Sequence, residues 1–106
     1  MAELRLSQMA NDDLLSIKEY IEKELNNPQA AINTLQKITK SLRLLMNFPL
    51  SGASLASVLE LETDYRFVVS GNYTSFYRYT GDAVIVDRVL FAKQDCMTIL
   101  FGNTDE

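Results

Sequence analysis

Three arginines in the second half of the chain could bind an anion if the fold brings them to one surface. Arg66, Arg78 and Arg88 each lie in a separate apolar segment. Guanidinium groups bind carboxylate and phosphate oxygens through paired hydrogen bonds, so three of them on one face would form an anion-binding cluster. In the simpler alternative they lie on a solvent-facing surface and pair with nearby carboxylates. The candidate partners are Asp64, Asp82 and Asp87.

A polar corner follows the last of these apolar segments. Lys93, Gln94 and Asp95 interrupt an apolar sequence, either as a turn or as part of a site. Asp87 and Asp95 are possible acid/base carboxylates, but their spacing does not indicate a glycosidase pair. The chain has no histidine and a single cysteine, Cys96, which argues against Ser–His or Cys–His nucleophiles and against His/Cys metal sites. We therefore expect no metal and no cofactor.

The charge distribution argues against general nucleic-acid binding. Residues 1–47 carry six Lys/Arg and six Asp/Glu, whereas residues 48–106 carry four Lys/Arg against eight Asp/Glu. Nucleic-acid affinity depends largely on neutralising phosphates with Lys and Arg, so we expect no direct sequence-specific DNA binding. Tyr73, Tyr77 and Tyr79 alternate and should share a face. They could stack on bases, although packing of an aromatic face against helices is the simpler interpretation.

The first half of the chain predicts two helices. Ser7 is a candidate N-cap of the first helix, and Asp12 and Asp13 lie early, where negative charge suits the helix dipole. Asn27 can cap the second helix, and Pro28 suits its first position. Apolar residues recur at spacings of three and four. They are Leu14, Ile17, Ile21 and Leu25, then Ala31, Leu35, Ile38, Leu42 and Leu45. We expect an antiparallel helix hairpin over about residues 7–47.

The second half predicts strands, because three segments are rich in β-branched and aromatic residues. The segments are "YRFVVS", "YTSFYRYT" and "AVIVDRVLF". Turns at residues 70–72 and 81–82 should join them as antiparallel hairpins. The segment "MTILF" (97–101) could form a fourth strand, and residues 50–64 are either a short helix or an irregular approach to the sheet.

These elements predict a single α+β domain over residues 1–106. The helix hairpin should pack on one face of a three- to four-stranded antiparallel sheet at about residues 64–101. No apolar run approaches the roughly 20 residues that a membrane helix needs, and the N-terminal segment lacks a signal pattern. We therefore expect a soluble cytoplasmic protein without a membrane partner.

The order of these motifs resembles the RelE/ParE superfamily of type II toxin–antitoxin toxins over about residues 7–102. The motifs are "ANDDLLSIKEYI", "NPQAAINTLQKI" and "NFPLSG", followed by "YRFVVSGNYTSFYRYTGDAVIVDRVLFAKQD". The resemblance implies a cytoplasmic growth inhibitor of the plasmid-stabilisation type that a cognate antitoxin holds silent. It also implies two possible mechanisms: RelE-like members are ribosome-dependent mRNA endonucleases, whereas ParE-like members poison DNA gyrase through protein contact.

When the chain is compared residue by residue with the nuclease branch that it resembles, it retains only part of the nuclease site. Arg66 and Lys93 match basic positions of the nuclease branch and would be catalytic, with Arg78, if this chain cleaves RNA. Asp95 matches the acidic residue that follows the corner and should stabilise the turn. Arg78, Arg88, Gln94 and Asp95 are the further candidate binding residues.

Three other positions lack the groups that a nuclease of this family uses. Thr74 and Gln94 stand where arginines are expected, and Leu100 stands near an aromatic acid/base. Losing one well-placed charge stabiliser typically slows catalysis by about 100–1,000-fold. We therefore expect a ParE-like toxin that acts on a protein such as gyrase. The alternatives are an mRNA endonuclease with a reduced site that acts with the ribosome, and a non-toxic member that binds the antitoxin.

Overall fold

The predicted helix hairpin is present at the start of the chain. Helix α1 spans Gln8–Glu24 and helix α2 spans Pro28–Asn47. The side chains of Ser7 and Asn27 each accept a hydrogen bond from the backbone N–H three residues later, at 2.9 Å and 3.1 Å. Both predicted N-caps and the position of Pro28 at the helix start are therefore confirmed. Such caps typically stabilise a helix by about 1 kcal/mol.

The computed structural model describes residues 1–59, 62–91 and 99–100, which form an α+β architecture with a larger sheet than expected. The strands are β1 Glu3–Leu6, β2 Ala53–Ser54, β3 Arg66–Ser70, β4 Tyr73–Tyr79 and β5 Ala83–Phe91. Their order in the sheet is β1-β5-β4-β3-β2, and β3, β4 and β5 form the predicted antiparallel meander.

Two strands were not predicted, and one of them makes the sheet mixed rather than antiparallel. β1 pairs with β5 in parallel, with Glu3 opposite Ala83 and Leu6 opposite Val86. The two-residue β2 pairs antiparallel with β3 and is followed by a short helix, α3 (Leu55–Leu59). The sequence did not predict β1 because a four-residue segment is stabilised by its distant partner rather than by local periodicity.

The prediction of a fourth strand at residues 97–101 is wrong for the two residues of this segment that the structure describes. Ile99 and Leu100 have helical backbone, and the other three residues lie outside the described part of the chain. The ambiguous segment 50–64 contains both β2 and α3. Within the described residues, no helix is sufficiently long and apolar to cross a membrane.

The hydrophobic core lies between the helix hairpin and the facing side of the sheet. Tyr77 is fully buried there, and Tyr73 and Tyr79 pack against the same core, which confirms the predicted tyrosine face. The fully buried aliphatic side chains include Ile38, Leu42, Leu45, Val84, Val86 and Val89. Each such side chain contributes roughly 1.5–3 kcal/mol of transfer free energy. Leu25, which was expected on the apolar stripe, caps the end of α1 and is 62% exposed.

A second, smaller apolar cluster covers the opposite side of the sheet, called here the far face. Leu55, Phe76 and Leu90 are buried in it, and Ile99 and Leu100 pack against it. Because side chains alternate along a strand, neighbours such as Phe76 and Tyr77 belong to the two different clusters. The burial of apolar side chains in these two clusters therefore determines the side of the sheet from which each residue of β4 and β5 projects.

Candidate functional site

The three candidate arginines point in different directions. Arg66 lies opposite Tyr77 across β3 and β4, so both project from the side of the sheet that faces the helices. Arg78 follows Tyr77 along β4 and projects from the far face. Arg88 turns toward helix α1, where it pairs with Asp13. The three guanidinium groups therefore do not form a shared anion-binding cluster.

Arg66 and Tyr77 hold the segment that leaves helix α2. Nη1 of Arg66 donates hydrogen bonds to the carbonyl oxygens of Gly52 (2.8 Å) and Leu50 (3.3 Å). The Tyr77 hydroxyl donates to the Pro49 carbonyl (2.7 Å) and accepts from the Gly52 N–H (3.1 Å). Burial raises the pKa of Tyr77, which keeps the hydroxyl protonated and able to donate. In this arrangement Arg66 serves the fold through backbone contacts.

Arg78 belongs to a polar cluster on the far face with Asp87 and Tyr65. The Nε of Arg78 donates to Asp87 at 3.0 Å, and Nη2 donates to the other carboxylate oxygen at 3.5 Å. The guanidinium also lies over the Tyr65 ring, 5.7 Å from its centroid. Burial, reinforced by a hydrogen bond to Asp87, raises the pKa of Tyr65 to about 12. The hydrogen bond to Asp87 raises the pKa of Arg78, so the guanidinium keeps its positive charge.

Arg88 fixes helix α1 to strand β5. Its Nε and Nη2 donate to the two carboxylate oxygens of Asp13, each at 2.8 Å, and both side chains are largely buried. Asp13 also accepts the backbone N–H of Val89 at 2.9 Å. Ser7 donates from its hydroxyl to the Asp87 carbonyl at 2.7 Å. The start of α1 thus supplies hydrogen-bond partners for backbone groups of β5 beyond the point where β1 ends.

Beside this ion pair an open groove runs between α1 and the ends of β4 and β5. We call it the α1–sheet groove; its volume is about 440 Å³. It is lined by Asp13, Ser16, Ile17, Tyr20, Tyr73, Arg88, Val89, Leu90 and Phe91. The Tyr73 and Phe91 rings are 5.6 Å apart, and Tyr20 is 62% exposed. Since Asp13 neutralises Arg88, the groove offers aromatic and apolar surface and suits a neutral apolar side chain of a partner.

A second concave surface lies on the outer side of α2. We call it the α2 basic face; it encloses about 710 Å³. It is lined by Ile32, Leu35, Gln36, Thr39, Lys40, Arg43, Leu44 and Asn47. Helix α2 also carries Lys37 and has no acidic residue. This surface therefore combines exposed apolar side chains with positive charge.

Several sequence-predicted residues lie outside the described part of the chain. These are Lys93, Gln94, Asp95 and Cys96, so their predicted roles stay predictions. Over residues 1–59, 62–91 and 99–100, no group of three His, Cys, Asp or Glu side chains is arranged to hold a metal ion.

Two residues at these sites were not singled out by the sequence for the contacts they make. Asp13 was expected to serve the helix dipole, yet it pairs with a residue 75 positions later. Tyr65 had no assigned role, yet it completes the cluster around Arg78. The available signal for Tyr65 was its place beside Arg66 at the start of a predicted strand, which does not reveal the face to which it projects.

The fold agrees with a family match over most of the chain. Residues 4–96 match the family model described as the ParE toxin of the type II toxin–antitoxin system, parDE. The chain belongs to the ParE toxin family of type II toxin–antitoxin systems. No curated protein matches the chain significantly.

Solved structures share the fold at low sequence identity. A chain described as the chromosomal ParDE toxin–antitoxin system from P. aeruginosa is 19% identical, with a TM-score of 0.73. That match covers 88% of this chain and 98% of the P. aeruginosa chain. YafQ from E. coli strain BL21(DE3) is 18% identical, with a TM-score of 0.53, over 96% of this chain and 100% of YafQ. A chain of the E. coli DinJ–YafQ toxin–antitoxin complex is also 18% identical, with a TM-score of 0.53, covering 95% and 98% of the two chains.

Proposed function

We propose that this protein inhibits growth by binding a protein target, with DNA gyrase as that target, and that a cognate antitoxin neutralises it. Membership of the ParE family supports the toxin role, because the match extends over residues 4–96. The choice between protein contact and RNA cleavage depends on the arrangement of the cationic side chains.

The observation that carries this choice is the separation of Arg66, Arg78 and Arg88. Stabilising the charge that develops in phosphoryl transfer requires several preorganised donors aimed at one point. Here Arg66 donates to backbone carbonyls, while Arg78 and Arg88 are paired with carboxylates on different elements. The carboxylates beside Arg78 and Arg88 also oppose binding of a phosphate. These contacts support a protein-binding toxin rather than a nuclease.

The antitoxin is the second proposed partner, and we expect it to cover the helix hairpin with a flexible segment. The α1–sheet groove supports this because it presents Tyr20, Tyr73 and Phe91 to a partner, and aromatic pockets of this kind often contain binding hot spots. β1 lies at the edge of the sheet, where an added strand could continue the pairing. We therefore expect the antitoxin to add a strand at this edge or to pack a helix against the sheet.

One cellular experiment separates the mechanisms. The chain is induced with and without the small protein encoded beside it, and growth, plasmid supercoiling and mRNA integrity are measured together. We expect growth arrest and loss of negative supercoiling with intact mRNA, and recovery when the antitoxin is present. Cuts at codon positions in ribosome-bound mRNA, with normal supercoiling, would overturn the proposal, and normal growth would indicate a non-toxic member.

A pair of variants makes the nuclease outcome interpretable. Arg66→Ala removes the candidate catalytic charge, but it also loosens the segment after α2. Tyr77→Phe loosens the same segment without removing a charge. A nuclease that uses Arg66 would lose cleavage in the first variant and retain it in the second.

A further inference from the structure

We infer that two copies of this chain pair through their β1 strands and form a two-fold symmetric dimer with one continuous sheet. The surface concerned is the outer side of β1 (Glu3–Leu6), called here the β1 edge. The inference goes beyond the proposed toxin function and does not depend on it, because the partner is a second copy of the chain itself.

The first observation is that β1 ends the sheet with backbone groups that lack partners. β1 lies at one end of the strand order, and its neighbour there is β5. Glu3 and Ser7 donate their N–H groups toward β5 at 3.0 Å and 2.9 Å, so the N–H and C=O groups of Leu4 and Leu6 point the other way. Within the part of the chain that the structure describes, these four outward groups have no hydrogen-bond partner. An added strand would supply those partners.

The second observation is a pair of opposite charges on β1. Leu4 and Leu6 pack against the core below the helices, so Glu3 and Arg5 project from the far face. Their side chains are 60% and 62% exposed and contact each other at 2.9 Å. An ion pair this exposed contributes little to the stability of a single copy. Both charges are therefore available to a second strand, since directly opposite residues of antiparallel strands share a face and interact.

The order of these charges selects one register of self-pairing. A two-fold axis between identical edge strands makes them antiparallel, and it must pass near the middle of this four-residue strand. An axis at Glu3 places two glutamates opposite each other, and an axis at Arg5 does the same with two arginines. Like charges directly opposite are destabilising. An axis at Leu4 places each Glu3 opposite the Arg5 of the second copy, so β1 is complementary to itself in this register.

The register centred on Leu4 also uses the free backbone groups. The two Leu4 residues would exchange two hydrogen bonds, and each Leu6 N–H would reach the Ala2 carbonyl of the second copy. The Ala2 N–H takes no part, because it already donates to the Met46 carbonyl at 2.8 Å. Four hydrogen bonds and two charge pairs form a small interface, of the size found in weak and transient complexes. We therefore expect a dimer in equilibrium with the monomer.

A second copy fits this edge better than an unrelated strand does. Any extended segment could use the free backbone groups, but such a segment gives no role to the order of Glu3 and Arg5. The dimer would occupy the same edge as the antitoxin strand proposed above, so the two assemblies would exclude each other. Charged side chains can also serve only to deter strand pairing at an edge, and the test must detect that outcome.

The test measures self-association of the purified chain, without antitoxin, by sedimentation equilibrium at increasing protein concentration. Two single variants, Glu3→Arg and Arg5→Glu, give β1 two charges of the same sign. The matched control combines both substitutions, which restores opposite charges in the reverse order. Thermal unfolding of each variant verifies that the fold is retained, as expected for substitutions at two exposed positions.

We expect the mean mass of the wild-type chain to rise with concentration toward that of a dimer. Each single variant should self-associate about 10–100-fold more weakly, because two attractive cross-strand pairs become repulsive. The combined variant should self-associate like the wild type. An equimolar mixture of Glu3→Arg and Arg5→Glu should also associate, because each copy then carries the charges that the other lacks.

A wild-type chain that stays monomeric at every concentration would overturn the inference, and the two charges would then act only to guard the edge. Undiminished association of both single variants would also overturn it, because the copies would be using another surface. A mixture of the two single variants that fails to associate, while the wild type does, would contradict the register centred on Leu4. These measurements use neither gyrase nor antitoxin, so their failure is distinct from failure of the proposed toxin function.

Discussion

Replacing Asp13 with alanine should destabilise the protein far more than replacing its neighbour Asp12. The Asp13 carboxylate accepts two hydrogen bonds from Arg88 and one from the Val89 N–H, all at 2.8–2.9 Å. Removing one partner of a buried ion pair typically costs about 3–5 kcal/mol, because the remaining charge is left without compensation. The Asp13 and Arg88 side chains retain 13% and 19% exposure, which lets water relieve part of this cost. We therefore expect a loss of about 3 kcal/mol.

Urea unfolding followed by circular dichroism provides the measurement. With a slope of about 1–3 kcal/mol per molar for a small domain, Asp13→Ala should lower the unfolding midpoint by roughly 1–3 M. The control is Asp12→Ala, because Asp12 is exposed and contacts Gln8 at the surface. It should change the free energy of unfolding by less than about 0.5 kcal/mol. Combining Asp13→Ala with Arg88→Ala should reveal a coupling free energy of about 0.5–3 kcal/mol. Equal midpoints for the Asp13 and Asp12 variants would refute the account of how α1 is fixed to β5.

Three further predictions concern the segment after α2 and the far-face cluster. Gly52→Ala should lower the free energy of unfolding by about 2–4 kcal/mol. The reason is that an added Cβ would lie 2.6 Å from the Tyr77 hydroxyl oxygen and 2.8 Å from the Phe67 carbonyl oxygen. An unfolding midpoint equal to that of the wild type would contradict this close contact. Tyr77→Phe should cost about 1–3 kcal/mol, because it removes a buried hydroxyl with two hydrogen bonds, whereas Tyr79→Phe, at an exposed bond, should cost less than about 1 kcal/mol. Tyr65 has a folded-state pKa of about 12 against an ordinary 10.0, so its contribution to stability is complete below pH 10 and decreases as the pH rises toward 12. The wild type should lose more stability over this interval than Tyr65→Phe, and equal losses would count against the burial of Tyr65.

The features that local sequence determines were predictable. The α1 and α2 helices have apolar residues at helical spacing and side-chain caps at both starts, so their existence followed from periodicity and capping alone. The meander of β3, β4 and β5 followed from its β-rich segments. Its two turns contain Gly71 and Gly81, whose φ angles of 59° and 99° suit glycine.

The features that depend on distant pairing were not predictable. β1 is four residues long and owes its strand conformation to β5, about 80 residues away in sequence. The direction of Arg88 depends on an irregularity in the pairing of β4 with β5. Phe76 pairs with Arg88 and Tyr77 pairs with Val86, which leaves Asp87 as an extra residue. Such a bulge interrupts the simple alternation of faces, so counting residues along the strand could not assign Arg88 to a side.

The candidate residues could be named from the sequence, but the way in which the fold arranges them could not. Arg66, Arg78 and Arg88 were identified from the sequence, and the pairing of Arg78 with Asp87 was among the expected ion pairs. The pairing of Arg88 with Asp13 and the use of Arg66 by backbone carbonyls required the tertiary structure. Side-chain type can indicate which residues could act on a phosphate, but whether they converge depends on strand register.

The most direct test of the proposed mechanism is a supercoiling assay with purified gyrase, relaxed plasmid and ATP. Increasing amounts of the purified chain should progressively inhibit supercoiling, and premixing the chain with an equimolar amount of its cognate antitoxin should restore it. The same preparation should leave ribosome-bound mRNA intact. Full gyrase activity at all concentrations of the chain, together with cleavage of mRNA on translating ribosomes, would contradict the account.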